Sequence, residues 1–237
     1  MTRSPIWKAI ADALASDIAG GRYPAGSKLP TEADLSARFG VNRHTVRHAL
    51  SALAAQGLVV PRRGAGVFVT APATDYRIGR RVRFNQNIAA TGQVPSRQIS
   101  RLETCPATPP EAGALHLAAG TSVHVVEGLS LADGQPLALF RSVLPAARFP
   151  SLLRDLAQTP SITAAMASGG LADYTRAQTR LTARRADAVQ ALHLRLAEGA
   201  PLLQSVAVNV DGAGVPVEYG TTWFAGDRVT LTIHAAD

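Results

Sequence analysis

A single cysteine, Cys105, stands in 237 residues, so no disulfide framework is available and a reducing compartment is expected. Aromatic residues are scarce at 5%, and no uninterrupted apolar run is long enough for a bilayer span. The opening residues, MTRSPIW, lead into mixed polar and apolar sequence without an h-region, so neither a signal peptide nor membrane association is expected, and the location expected is cytoplasmic. Common catalytic signatures are missing too: there is no HExxH, no CxxC, no nucleophile elbow and no GxxxxGK[ST] loop. No catalytic residue, cofactor or metal is therefore expected. At 46% hydrophobic residues the chain has enough apolar surface for real cores, which excludes a disordered or low-complexity protein.

What is present is an uneven charge. Residues 1–70 carry a net +5, residues 71–87 a further +3, and residues 88–237 only −1. A small basic module joined to a near-neutral one suits a polyanion reader that carries a second function.

Within the first seventy residues the spacing predicts three helices. Ser4-Pro5 reads as a cap and a first helical residue, and Ile6, Ile10, Leu14 and Ile18 then recur every four residues until Gly20-Gly21. Thr31 with Asp34 predicts a capping box that opens a short helix ending at Gly40. Asn42 caps the third helix, whose apolar stripe is Val46, Ala49, Leu50 and Leu53, and Gly57 ends it. Two helices across a Gly-containing turn are the helix-turn-helix geometry.

The outward face of the third helix carries Arg43, His44, Arg47, His48 and Ser51, with Asn42 and Thr45 near its start. Arg and Asn suit base edges and phosphates in a major groove. His44 and His48 are four residues apart but have no third ligand, so they read as groove-facing and not as a metal site. LVVPRRGAGVFV then predicts two strands joined by a basic tip, a wing. Its Arg62 and Arg63 reach phosphate or minor groove, while Gly64 and Gly66 let the backbone approach closely.

The stretch LPTEADLSARFGVNRHTVRHALSALAAQGLVVPRRGAGVFV resembles the winged helix of GntR-type bacterial transcription regulators. That family's pattern runs LP-(S/T)-E-x-x-L, then V-(S/N)-R-x-T-V-R-x-A-L, then G-x-G-x-(F/Y)-V. The resemblance implies DNA contacts from Arg43, Thr45, Arg47, Arg63 and Gly64. Many members have Arg where this chain has Ala33, so one contact of the family is in doubt here.

Residues 71–83 read as a linker in which Arg80, Arg81 and Arg83 either track a phosphate backbone or are simply solvated. From residue 84 onward long strands alternate with three or four helices. The strand candidates are SRQISRLETC, TSVHVVEGLSLA, PLALFRSVL, DYTRAQTRLTARR, PLLQSVAVNV, PVEYGTTWFA and RVTLTIHA. Asp133-Gly134 and Asp211-Gly212 read as hairpin turns between pairs of them. An internal repeat aligns Ala-Leu-His-Leu at residues 114–117 with the same four residues at 191–194, which makes His116 and His193 equivalent helix residues. The fold class expected is α+β in two domains: a winged helix-turn-helix over 1–70 and a pseudo-symmetric antiparallel sheet with flanking helices over 84–237.

RFNQN, RAQTRLTARRA and PVEYG are similar to stretches of the UTRA effector domain of the HutC subfamily, which has a chorismate-lyase-like fold, and within it to the regulators of phosphonate uptake and breakdown. The resemblance implies an effector domain over 84–237 and a repressor released by a small phosphorus-containing anion. Phosphate is held well by Arg and by helix starts, so Ser161 and Thr163 in TPSITAAM are candidates. Alternation places Arg176, Gln178, Arg180, Thr182 and Arg184 on one strand face, and Arg176 is the arginine of choice, with Arg141 after the first hairpin a further one. Glu218, next to Tyr219, either accepts from a ligand amine or hydroxyl or pairs with an arginine of that stripe. The resemblance also implies that Phe84, Asn85 and Gln86 form a loop coupling effector to linker, with Asn85 replacing a frequent Ser or Thr. Sugar-phosphate sensors of the subfamily carry Arg where this chain has Glu127, Gly128 and Ser130, which argues against a hexosamine phosphate. The partners expected are a palindromic double-stranded operator, a small anionic effector (phosphonate or phosphate) and a second copy of the chain, because two half-sites need two heads. A sugar phosphate, a histidine-derived acid and an enzyme of lyase-like fold are the alternatives.

Overall fold

The computed structural model describes residues 5–62, 64–71 and 73–233. They form two compact units, residues 1–72 and 73–237.

The first unit contains α1 (Ile6–Ala19), α2 (Glu32–Phe39), α3 (Arg43–Ala55), β1 (Val59–Arg62) and β2 (Gly66–Val69), with the two strands antiparallel. Leu14, Leu35, Val46 and Leu53 are buried where the three helices meet. Each such side chain contributes about 1.5–3 kcal/mol by leaving water. The caps are the ones the sequence predicts. Thr31 accepts a bond from the Asp34 amide, and the Asp34 carboxylate accepts from the Thr31 amide at 3.0 Å. Asn42 Oδ1 accepts from the Thr45 amide at 2.9 Å and so starts α3. Pro5 flanks α1 instead of opening it, while Ser4 lies outside the described residues.

The second unit runs β3 (Thr74–Arg77), α4 (Phe84–Ala90), β4 (Pro95–Pro106), α5 (Pro109–Leu115), β5 (Ser122–Ala132), β6 (Gln135–Pro145), α6 (Leu152–Gln158), α7 (Ile162–Ser168), β7 (Thr175–Arg185), α8 (Ala188–Leu194), β8 (Pro201–Val210), β9 (Pro216–Ala225) and β10 (Val229–Thr232). Six strands make one antiparallel sheet in the order β4-β5-β6-β9-β8-β7, two three-stranded halves joined at their middle. One sheet face carries α5 and α8. The other is covered at one end by α6 and α7, through Phe149, Leu152 and Met166, and at the other by β3, β10 and α4, through Tyr76, Ile78 and Ile88.

Four expectations need correction. Residues 73–83 are not a linker: β3 pairs in parallel with β10, and Tyr76, Ile78 and Val82 are buried. Five helices, not three or four, follow residue 83 among the described residues, because α4 and α7 are only two turns long. The repeat is real but shifted by two residues. The capping boxes Thr108–Glu111 and Asp187–Gln190 correspond, so His116 matches Arg195, both left-handed C-caps (φ 55° and 54°), and not His193. Finally, Asp133-Gly134 makes a two-residue turn with both φ positive, whereas Asp211-Gly212 opens a longer loop. There Asp211 Oδ1 accepts from the Ala213 and Val215 amides, and Gly214 takes the positive φ.

Candidate functional site

In the first unit, α3 presents Asn42, Arg43, His44 and Arg47 to solvent, with Thr45 half-buried beside them. Thr45 Oγ1 is hydrogen-bonded to Asn42 Oδ1 at 2.9 Å, so these two side chains serve the cap first. Arg47 is paired: its Nε and Nη2 donate to both oxygens of Glu32 on α2, at 3.1 and 2.8 Å. That bidentate bond holds the Glu32 carboxyl below its usual range. His48 is stacked on Trp7, with ring centroids 4.3 Å apart, which corrects the groove-facing expectation for it. Among the described residues no group of three metal-ligating side chains occurs.

The wing tip bends at Gly64 (φ 72°), and Gly66 (φ 108°) has a second constraint. A Cβ on Gly66 would lie 2.7 Å from Cε of Lys28, whose stem crosses the wing there. Lys28 therefore joins the basic surface, a residue that periodicity had no means of finding. Arg63, and the side chain of Arg62, lie outside the described residues.

In the second unit a cavity of about 70 Å³ opens over the middle of the sheet, between its two coverings. The strands supply a floor of small and polar residues there: Ser142 on β6, Ser205, Ala207 and Asn209 on β8, and Glu218, Gly220 and Thr222 on β9. The walls are Tyr76, Phe84, Phe140, Thr163 and Tyr174. Three arginines enter it. Arg83 lies 3.4 Å from the centre of the Tyr174 ring and donates to the Tyr174 carbonyl at 2.8 Å and to Asp173 at 3.3 Å. Arg176 reaches Asn209 Oδ1 at 3.4 Å, and Asn209 donates to Glu218 Oε2 at 2.7 Å. Arg97, on β4, lies against Phe84 and Phe140 at 5.2 and 4.6 Å, and its buried Nε has no hydrogen-bond partner. Burial lowers the pKa of that guanidinium and raises those of the Tyr76 and Tyr174 hydroxyls.

Of the residues predicted from sequence, Phe84, Thr163, Arg176 and Glu218 meet in this cavity. Arg141 and Tyr219 do not. They lie on the opposite sheet face, where Arg141 binds Glu111 at 2.6 Å and Glu127 at 3.0 Å, and Tyr219 packs toward α5. Ser161 is spent on its own helix, accepting from Ala164 at 3.3 Å, and with Asn85 and Gln86 it lines a neighbouring depression. Phe84, Asn85 and Gln86 open α4 and do not form a loop. The arginine stripe is also broken. A bulge at Ala177 reverses the alternation, so Arg176 opposes Asn209 on the cavity face while Arg180 and Arg184 oppose Val206 and Leu202 on the other. Arg81 and Arg83 both engage Asp173. Arg83 and Arg97 were missed because each stands in an irregular or exposed-looking stretch. Their only sequence signal is an arginine beside aromatic and β-branched neighbours.

Comparison with known proteins agrees with both units. Residues 7–69 match the model for bacterial regulatory proteins of the gntR family, and residues 90–230 match that of the UTRA domain. An uncharacterised HTH-type transcriptional regulator of Rhizobium meliloti is 40% identical over 96% of this chain and 94% of its own length. The probable transcriptional regulator PhnF of Escherichia coli is 32% identical over 89% of this chain and 88% of its own. Among solved structures, PhnF from Mycobacterium smegmatis matches with a TM-score of 0.65 at 28% identity, covering 95% of this chain and 99% of that one. A DNA-reading head and an enclosed polar cavity without catalytic groups are what such proteins combine, and this chain belongs to the gntR family of bacterial transcriptional regulators, with a UTRA domain in the HutC-type arrangement, and is not an enzyme.

Proposed function

We propose that the chain is a homodimeric repressor that binds a palindromic operator through α3 and its wing and is released when a compact phosphorus oxyanion, phosphonate or phosphate, fills the cavity of the second unit. One observation carries the effector reading. Arg97 is held among aromatic rings with its Nε sealed and unsatisfied, and such a group is stable only when an acceptor reaches it. Arg176 stands in the same cavity and can form the second arm of an oxyanion clamp. The small volume favours a compact ligand over a sugar phosphate. Repression is supported by the relative NagR of Bacillus subtilis, a transcriptional repressor 27% identical over 98% of this chain. The likeness to PhnF supports phosphonate metabolism as the target.

The test is calorimetry on the full chain with ethylphosphonate, 2-aminoethylphosphonate, inorganic phosphate, glucosamine 6-phosphate and urocanate. It is followed by mobility shift on a duplex selected from a random pool. Heat with a compact phosphorus oxyanion, loss of that heat in Arg176→Gln, and release of the duplex by the same compound are expected. Heat with urocanate or the sugar phosphate alone would overturn the effector reading and leave the regulator standing.

A further inference from the structure

The residues around the cavity contain one feature that a plain oxyanion site does not need, a carboxylate. We propose that the effector is a zwitterion, a phosphorus oxyanion on a short carbon chain ending in a protonated amine, with the oxyanion on Arg97 and Arg176 and the amine against Glu218. This deepens the effector reading above and rests on it.

The charge balance is the first argument. Arg83 is already matched by Asp173 and the Tyr174 carbonyl, so it adds no unpaired charge. Arg97 and Arg176 remain, against Glu218, the one acid among the described residues that line the cavity. The site is thus left with one net positive charge. A phosphonate or phosphate dianion would leave it negative and would sit in the same small space as a buried carboxylate. A dianion joined to an ammonium group carries a single net negative charge and closes the balance.

Geometry is the second argument. Glu218 is 8% exposed, and its Oε2 is taken by the Asn209 amide at 2.7 Å. Neither arginine forms an ion pair with it among the described residues; Arg176 reaches only the Asn209 oxygen. Its Oε1 lies over Gly220, where a Cβ would stand 3.8 Å away and meet nothing else within 4 Å. A glycine in a strand interior, with no backbone crowding to demand it, marks space kept for something else to approach. Here that space lies against a carboxylate oxygen, the acceptor an ammonium group requires. The hydroxyls of Ser205 and Thr222 line the same floor, where a cationic end can be hydrogen-bonded. With about 70 Å³ available, the chain between the two charged ends is short.

The experiment is calorimetric titration of the full chain with 2-aminoethylphosphonate, ethylphosphonate and inorganic phosphate. The aminated compound should bind at least tenfold more tightly than ethylphosphonate, and Glu218→Gln should remove that advantage while leaving ethylphosphonate binding equal or stronger. Ethylphosphonate or phosphate binding as tightly as the amine to the parent chain overturns the zwitterion but leaves the oxyanion reading intact. Silence from all three overturns both. The comparison between ligands on the parent chain decides the matter even if the variant fails to fold.

Discussion

Arg47 is a DNA-contact candidate whose guanidinium already has a carboxylate, Glu32, on the neighbouring helix. Exposed pairs of this kind contribute only about 0–1 kcal/mol to stability, so the pair matters more for how much positive charge α3 offers than for folding. Removing the carboxylate should release a cation toward the phosphate backbone. Glu32→Gln is therefore expected to leave the melting temperature nearly unchanged, tighten DNA binding at low salt, and steepen the log–log salt slope by about 0.9 per head. An unchanged slope in a fluorescence-anisotropy titration would show that Arg47 never meets phosphate. Arg43→Ala, by contrast, should weaken operator binding by ~1–3 kcal/mol per half-site if that side chain reads a base edge.

His124 offers a second test at this scale. It is 6% exposed, with Nδ1 bonded to Thr104 Oγ1 at 2.8 Å and Nε2 to the Phe149 carbonyl at 3.1 Å. Burial lowers its pKa below the ordinary 6.5, with the Phe149 bond opposing this in part. In the window between the lowered folded value and 6.5 the unfolded chain binds the extra proton and the folded chain does not. Its contribution is thus fully present above 6.5 and is lost as pH falls through the folded value. The melting temperature of the second unit should drop on acidification from about pH 6.5, and His124→Gln should flatten that part of the profile. An identical pH profile in parent and variant would count against the assignment.

Among elements, the caps were the most legible features, because they depend on two or three adjacent residues and on no distant partner. Thr31 and Asp34 set where α2 starts, and Asn42 sets where α3 starts. Thr31→Ala is expected to cost about 1 kcal/mol of first-unit stability, read as a lower urea midpoint with unchanged slope. The strands of the large sheet were legible for the same local reason, since alternation or apolar runs bounded by turns mark each one. What alternation cannot carry is an inserted residue. The bulge at Ala177 shifts every later side chain of β7 to the other face, so Arg180 and Arg184 leave the face that holds Arg176. Arg141 and Tyr219 were misplaced for a related reason. Each is adjacent in sequence to a cavity residue, Ser142 or Glu218, and neighbours along a strand point to opposite faces. Arg97 was invisible because its role arises from Phe84 and Phe140, which the fold alone brings to it.

For the whole molecule, the boundary between the units decides how the effector unit can be isolated. The sequence suggests a linker up to residue 83, because TDYR is only four residues long and lies between Pro72 and a glycine-arginine stretch. Its strand character comes from β10, about 150 residues later, and no local pattern reports a parallel partner that far away. Tyr76, Ile78 and Val82 are 6%, 5% and 8% exposed, and Tyr76 and Val82 also line the cavity. Uncovering three such side chains sacrifices about 5–9 kcal/mol of burial, comparable with the entire stability of an ordinary domain. The segment is also stapled to β7, since the Arg176 amide donates to the Arg80 carbonyl at 2.8 Å and Arg81 grips Asp173. A fragment of residues 73–237 should therefore melt cooperatively and bind the same ligand as the full chain. A fragment of residues 84–237, the boundary that composition alone suggests, should show no cooperative transition in calorimetry and no ligand heat. If the shorter fragment melts at the temperature of the longer one, residues 73–83 contribute nothing to the fold, and the cavity wall assigned to them must be reassigned.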